Sequence, residues 1–271
     1  MADRCFHLLR LIFVLGAFLV SGSTLAQRET SSGRPADLEK VITTFGIQIV
    51  TTDPGFPIKT THGAIAGKVA DVRELQDYAG VFVREFSLYP RELVERSRLK
   101  RVVLCSDLSF ASQRRSAIPD FEHHTLYLDV SGGRDNGLYQ RKVIHHEFFH
   151  ILDWIDDGRV YEDITWVRLN PPGFNYGSGG SRAQDNSGTS VLTEKYPGFL
   201  NHYSTTGVEE DKAEIFANLM VDSDYVRRRI SKDPVLRTKV ETMKTLLSQF
   251  CPQMNEAFWR RVERTAAGDQ P

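Results

Sequence analysis

Charge of one sign is what this chain lacks most plainly. Its 34 Lys and Arg stand against 35 Asp and Glu, a formal net charge of -1. No global field is left to select nucleic acid or an acidic surface. Cysteine is scarce as well, three in 271 residues, which excludes a disulfide-dense scaffold and a zinc site made of closely spaced Cys pairs. The sequence has no internal repeat, no heptad run and no block of like charge, so solenoids, coiled coils and charged tails drop out. After residue 20 no apolar run approaches the ~20 residues that a bilayer-spanning helix needs. What remains is 41% hydrophobic and 25% charged, ordinary globular composition in a chain long enough to bury a sizeable core.

The one apolar run lies at the start. Leu11 to Val20 follows Arg4 and Arg10 and precedes small residues ending in Thr24-Leu25-Ala26. A basic head, an apolar middle and a small-residue end predict a signal peptide, residues 1–26, cleaved after Ala26. The expected location is therefore secreted or periplasmic, with no stable membrane insertion afterwards; an uncleaved anchor is the alternative reading of the same run. No Cys follows the small residues, so a lipid anchor is not indicated. Cleavage would remove Cys5 and leave Cys105 and Cys251, to be read either as one disulfide or as two buried thiols. Residues 27–36 are polar and predict a flexible mature N-terminus, with one domain over residues 37–271.

Apolar spacing predicts helices over residues 37–45, 70–88, 136–154, 208–220, 234–250 and 254–264. Strands are predicted over 47–51 and 101–105, and over 125–130, where period-two alternation implies one buried face. Helices and strands intermix, which predicts an α+β domain, helix-rich with a small sheet. Residues 157–201 read as a long irregular region. The glycine-rich stretch Gly173 to Gly188 within it is expected to border the cleft and move on substrate binding.

The chemistry sits on two of the helices. His146-Glu147-Phe148-Phe149-His150 is an H-E-x-x-H pattern. Residues four apart share a helix face, so both imidazoles reach one ion, and Glu147 projects beside it as a general base. Catalytic zinc takes three protein ligands, so one more is needed. Asp156, ten residues after His146, is one candidate. Glu210 is the other, with Glu214 one turn further on to hold an imidazole of the ligand set. Glu209 and Asp211 fit a solvated acidic first turn that faces the positive end of the helix dipole. His145 points about 100° away from His146, and His123 and His124 read as exposed residues before a strand.

His146-Glu147-Phe148-Phe149-His150, then Tyr203, then Glu210-Asp211-Lys212-Ala213-Glu214-Ile215-Phe216-Ala217, resemble the gluzincin peptidases related to the anthrax lethal factor catalytic domain. They also resemble a broader set of bacterial zinc-binding metallopeptidases. The resemblance covers about Leu126 to Met220 and departs from the pattern in its long spacer between His150 and Glu210. It implies a zincin-like domain in which His146, His150 and Glu210 bind Zn2+, Glu147 is the base and Glu214 supports His146. It further implies that Tyr203 donates to the oxyanion of the tetrahedral intermediate, a role suited to a neutral phenol. It suggests that the strand over 125–130 is the edge along which an extended peptide lies.

The expectation is thus an exported zinc metallopeptidase acting on protein or peptide substrates, with no nucleic-acid partner. Three alternatives are a zinc amidase acting on a non-protein amide, a catalytically silent secreted binding protein of the same fold, and a structural helical domain that binds no metal.

Overall fold

The computed structural model describes residues 34–133, 136–177, 179 and 190–268, all within the compact unit Gly33–Pro271. The expected signal segment, residues 1–26, lies outside the described residues, as do most of the expected flexible segment and most of the Gly173–Gly188 stretch. No described helix is long and apolar enough to cross a membrane.

Helix α1 (Leu38–Phe45) leads into strand β1 (Gln48–Val50) and a hairpin of β2 (Ile58–Thr60) and β3 (Gly63–Val69). Helix α2 (Val72–Phe86) follows, capped at its start by the Asp71 side chain, which accepts from the Arg73 N–H. It buries Leu75, Tyr78, Ala79, Phe82 and Phe86, one stripe at helical spacing. After α3 (Arg91–Arg96) come β4 (Arg101–Phe110), β5 (Gln113–Arg114), β6 (Ala117–Asp120) and β7 (Thr125–Asp129). Helix α4 (Gly137–Asp157) starts at Asn136, whose side chain accepts from the Tyr139 N–H. It stops at Gly158, where φ is 76° and a side chain would be strained. Short α5 (Ile164–Val167), a 3-10 turn at Tyr203–Thr205, α6 (Val208–Val221), α7 (Ser223–Ile230), α8 (Pro234–Phe250) and α9 (Glu256–Gly268) complete the described chain.

The sheet runs in the order β2-β3-β4-β7-β6, with β1 and β5 also paired to β4. Strands β1, β4 and β7 are parallel, whereas β3 and β6 run antiparallel to their neighbours. Helices cover one face. Leu104, Leu126 and Leu128 from the sheet meet Phe82, Phe86, Phe148 and Phe216 from the helices in the main core, where each such side chain contributes roughly 1.5–3 kcal/mol by burial. The other face carries a smaller cluster that includes Ile65, Val103, Cys105, Ile118 and Tyr127.

Two expectations change here. Strand β7 is buried at all five residues rather than on one face. Its alternation is real, but it sorts residues between two clusters, Leu126 and Leu128 into one and Tyr127 into the other. Nor is β7 an edge, since it lies between β4 and β6; among the described residues the edge on that side is β6. Cys105 and Cys251 are both free and buried, in different clusters, so the two-thiol reading holds and the disulfide does not form in this fold.

Candidate metal centre

Helix α4 packs against β6, β7, α2 and α6. One of its faces turns His145 into the protein. The ring of His145 is fully buried, with Nε2 3.0 Å from Glu85 Oε2 and Nδ1 against the Tyr89 hydroxyl. Arg141 donates to Glu85 as well, at 2.8 Å. Burial opposes charge on Glu85, but its bonds to His145 and Arg141 outweigh that and hold its carboxyl at about 2. This anchor fixes the rotation of α4 and leaves His146, one residue on, facing α6.

There the site converges. His146 Nε2 lies 3.0 Å from Glu210 Oε2 and 3.2 Å from His150 Nε2, and His150 Nε2 lies 3.7 Å from the same Glu210 oxygen. The three residues are buried, and their ligand atoms lie within 4.8 Å of one another, a group that could hold one metal ion. Two imidazole nitrogens and a carboxylate oxygen make a donor set suited to zinc. Asp156, the other candidate for third ligand, is exposed and outside this group.

A further layer holds the group in place. His146 Nδ1 is 3.2 Å from Glu214 Oε1. Glu214 Oε2 accepts from the side-chain amides of Asn201, at 2.7 Å, and Asn218, at 3.3 Å. Burial alone would lower the basicity of His146, yet Glu210 and Glu214 raise it well above its ordinary value. Burial works against ionisation of both carboxyls, and the imidazoles nevertheless hold Glu210 and Glu214 below the usual range. The field at His146 Nε2 therefore favours positive charge. Among the described residues, the buried Nδ1 of His150 and Oδ2 of Asp153 have no hydrogen-bond partner.

Helix α6 supplies Glu210 and Glu214 and is buried at every one of its residues. The solvated first turn expected from sequence is absent: Glu209 is 5% exposed and Asp211 fully buried. Asp211 Oδ2 accepts from Lys239 Nζ at 2.7 Å, Trp166 Nε1 at 2.8 Å and Tyr176 Oη at 2.6 Å. Lys212 Nζ donates to Asp153 at 2.6 Å and Asp163 at 3.2 Å. The Glu209 carboxylate folds back over Gly207, where a Cβ would lie 2.3 Å from its Oε1, so a side chain there would push that carboxylate aside.

The group opens into a cleft of about 700 Å³ whose lining includes Glu147, Tyr203, Glu209 and all four residues of β6. Glu147 lies among the ligands. Burial raises its pKa, and the neighbouring imidazoles oppose the rise. Tyr203 comes from the 3-10 turn, its ring centroid 6.0 Å from that of His146. The turn is braced by Asn201, whose Oδ1 accepts from Ser204 N at 2.8 Å and Oγ at 2.9 Å. The structure brings together His146, Glu147, His150, Tyr203, Glu210 and Glu214, the six residues named from the sequence; Asn201, Asn218 and Asp153 beside them were not singled out. Asn218 carried a signal, four residues after Glu214 on one helix face; Asn201 carried none.

No family model and no curated protein matches this chain. The fold is similar to the crystal structure of a "putative zinc-binding metallo-peptidase" from Bacteroides caccae, with a TM-score of 0.52 and 18% identity over 84% of this chain and 89% of that one. At that identity the likeness establishes the shared fold alone, a helix-rich α+β domain with a small sheet as expected from the sequence.

Proposed function

We propose that this chain is an exported zinc-dependent metallopeptidase that hydrolyses peptide bonds with Glu147 as general base. The observation that carries the reading is the meeting of His146, His150 and Glu210 at one point of a cleft that Glu147 and Tyr203 also line. The donor chemistry fits zinc, and the name of the Bacteroides caccae protein points the same way. The resemblance to the lethal-factor group belongs to this proposal, as does export through residues 1–26.

When bound, zinc would supply a Lewis acid that makes water a nucleophile near neutral pH. The rest falls to the chain. Glu147, whose burial pushes its basicity up, takes a proton from the attacking water and passes it to the leaving nitrogen. Tyr203 donates its hydroxyl proton in a hydrogen bond to the developing oxyanion. Glu214, itself held by Asn201 and Asn218, accepts from His146 Nδ1 and leaves Nε2 free to act as a ligand.

Strand β6 gives an extended peptide a place to lie. Ser116 O accepts from Asp129 N at 2.9 Å, and Ala117 stands opposite Leu128. Alternation then aims the backbone of Ile118 and Asp120 at β7 and that of Ala117 and Pro119 outward. The outer edge offers the Ala117 N–H, the Ala117 carbonyl and the Pro119 carbonyl. Pro119 has no N–H, so pairing is limited to three bonds.

The test is elemental analysis of chelator-free protein, followed by incubation with unfolded protein and, separately, with peptidoglycan. About one zinc per chain and cleavage of the unfolded protein are expected. Absence of zinc uptake would remove the reading, and cleavage of peptidoglycan alone would favour the amidase.

A further inference from the structure

The cleft wall carries an aromatic surface that the chemistry just described does not use. Trp154 follows His150 by four residues, one turn along α4 and on the same face. Its ring stacks on Phe121, the residue after β6, with centroids 5.2 Å apart and planes at 24°. Both line the cleft, and Trp154 stays 37% exposed, whereas Trp166 and Trp259 are buried.

The residues beside Phe121 fix its place. Asp120 is buried and accepts from the His123 N–H at 3.1 Å, with His123 Nδ1 2.8 Å from its other oxygen. Glu122 accepts from Thr61 N at 2.9 Å and Thr61 Oγ1 at 2.5 Å, which latches the β2–β3 hairpin to the end of β6. Thr60, Thr61 and His62 of that hairpin line the same cleft. The stacked rings thus form a pre-set apolar surface between a latched turn and the metal helix, rather than a loose surface aromatic.

We propose that Phe121 and Trp154 form a subsite that takes an apolar, preferentially aromatic, side chain of the substrate. A helix turn advances about 5.4 Å and an extended chain about 3.3 Å per residue. The side chain on this surface therefore belongs to a residue about two positions from the bond that is cut. The inference rests on the peptidase reading, and it names the substrate class for that site: peptides with a large apolar side chain near the scissile bond.

The test compares two blocked, uncharged pentapeptides, one all alanine and one with a central phenylalanine. Affinity is measured by calorimetry on the zinc-loaded Glu147→Gln chain and kcat/KM on the unaltered chain. The phenylalanine peptide is expected to bind about tenfold tighter, the scale of one stacked aromatic contact plus its burial. Trp154→Ala and Phe121→Ala should each erase the preference with zinc content and circular dichroism unchanged, and Trp154→Phe should restore most of it. Equal affinities, no binding of either peptide, or a preference that survives both alanine variants would overturn the subsite. Tight, selective binding with no cleavage would leave the subsite standing and remove the peptidase. Cleavage of both peptides at equal kcat/KM would do the reverse.

Discussion

Helices α4 and α6 meet at the same few atoms and are built on opposite plans. Helix α4 keeps a partly exposed flank, with Leu138, Tyr139 and Trp154 reaching solvent, and its metal-facing residues form a compact motif in sequence. Helix α6 has no exposed residue, yet it carries Glu209, Glu210, Asp211, Lys212 and Glu214. A buried charge is tolerable only when paired and hydrogen-bonded. The partners for α6 come from far along the chain: Lys239 for Asp211, Asp153 and Asp163 for Lys212, His146 with Asn201 for Glu214. A helix with a solvent face can state its chemistry locally, whereas a wholly buried one needs the rest of the fold to make its sequence acceptable.

The largest effect that separates the two helices is on turnover and metal. Glu147→Gln on α4 should retain zinc and lose about 10²–10⁴-fold in kcat, as expected when a general base is removed. Glu210→Gln on α6 should instead release zinc, because an anionic ligand is lost. Inductively coupled plasma analysis and steady-state rates on the same two preparations check this. If Glu210→Gln kept zinc while Asp156→Asn lost it, α6 would not be the ligand helix.

Stability gives the next contrast. Lys239→Met strands Asp211 in the core and should cost about 3–5 kcal/mol in urea unfolding. Arg91→Ala, which breaks the exposed Arg91–Glu95 pair at 2.7 Å, should move stability by less than about 0.5 kcal/mol. Similar losses in the two variants would mean that burial is not what distinguishes α6.

Acid probes the anchor of α4. Glu85 is held at about 2 in the fold, below the ~4.3 of a free glutamate. Its stabilisation, on the order of 3 kcal/mol, is fully present above pH ~4.3 and is lost as pH falls towards 2. Burial raises Asp211 on α6 despite Lys239, so that group adds no loss of the same sign, whereas Glu210 and Glu214 on that helix, held low by the imidazoles, add their own and are present in both proteins compared. Denaturation midpoints at pH 7, 4 and 2.5 should fall with acid in the native chain and fall less in Glu85→Gln. Zinc affinity in Glu214→Gln should weaken about 10–100-fold by competition with a chelator, because His146 loses its support but remains a ligand.

Much of this was legible in the sequence. The apolar stripes of α2, α8 and α9 are long and periodic, and H-E-x-x-H marked the α4 residues that meet Glu210. Glu210 was legible as one of two candidates, and the likeness to known peptidases favoured it over Asp156. What escaped has physical reasons. Strand β6 is four residues long with a proline at its third position, and β2 is three residues long, too short for alternation to register. The acidic start of α6 matches the common solvated helix N-terminus, and nothing local reveals that Lys239 will arrive from 28 residues away. The alternation of β7 was read correctly as a period and wrongly as exposure, because the second cluster behind the sheet has no signature in that strand.

Pro119 has a consequence outside the cleft. An uncovered strand edge invites other copies of the same chain to continue the sheet, and runaway stacking of that kind ends in fibrils. A docking strand can proceed only where donors and acceptors alternate without a gap, and the missing N–H at Pro119 interrupts that series after a single residue. The edge is thus open enough to greet a short extended guest and too broken to recruit its own kind.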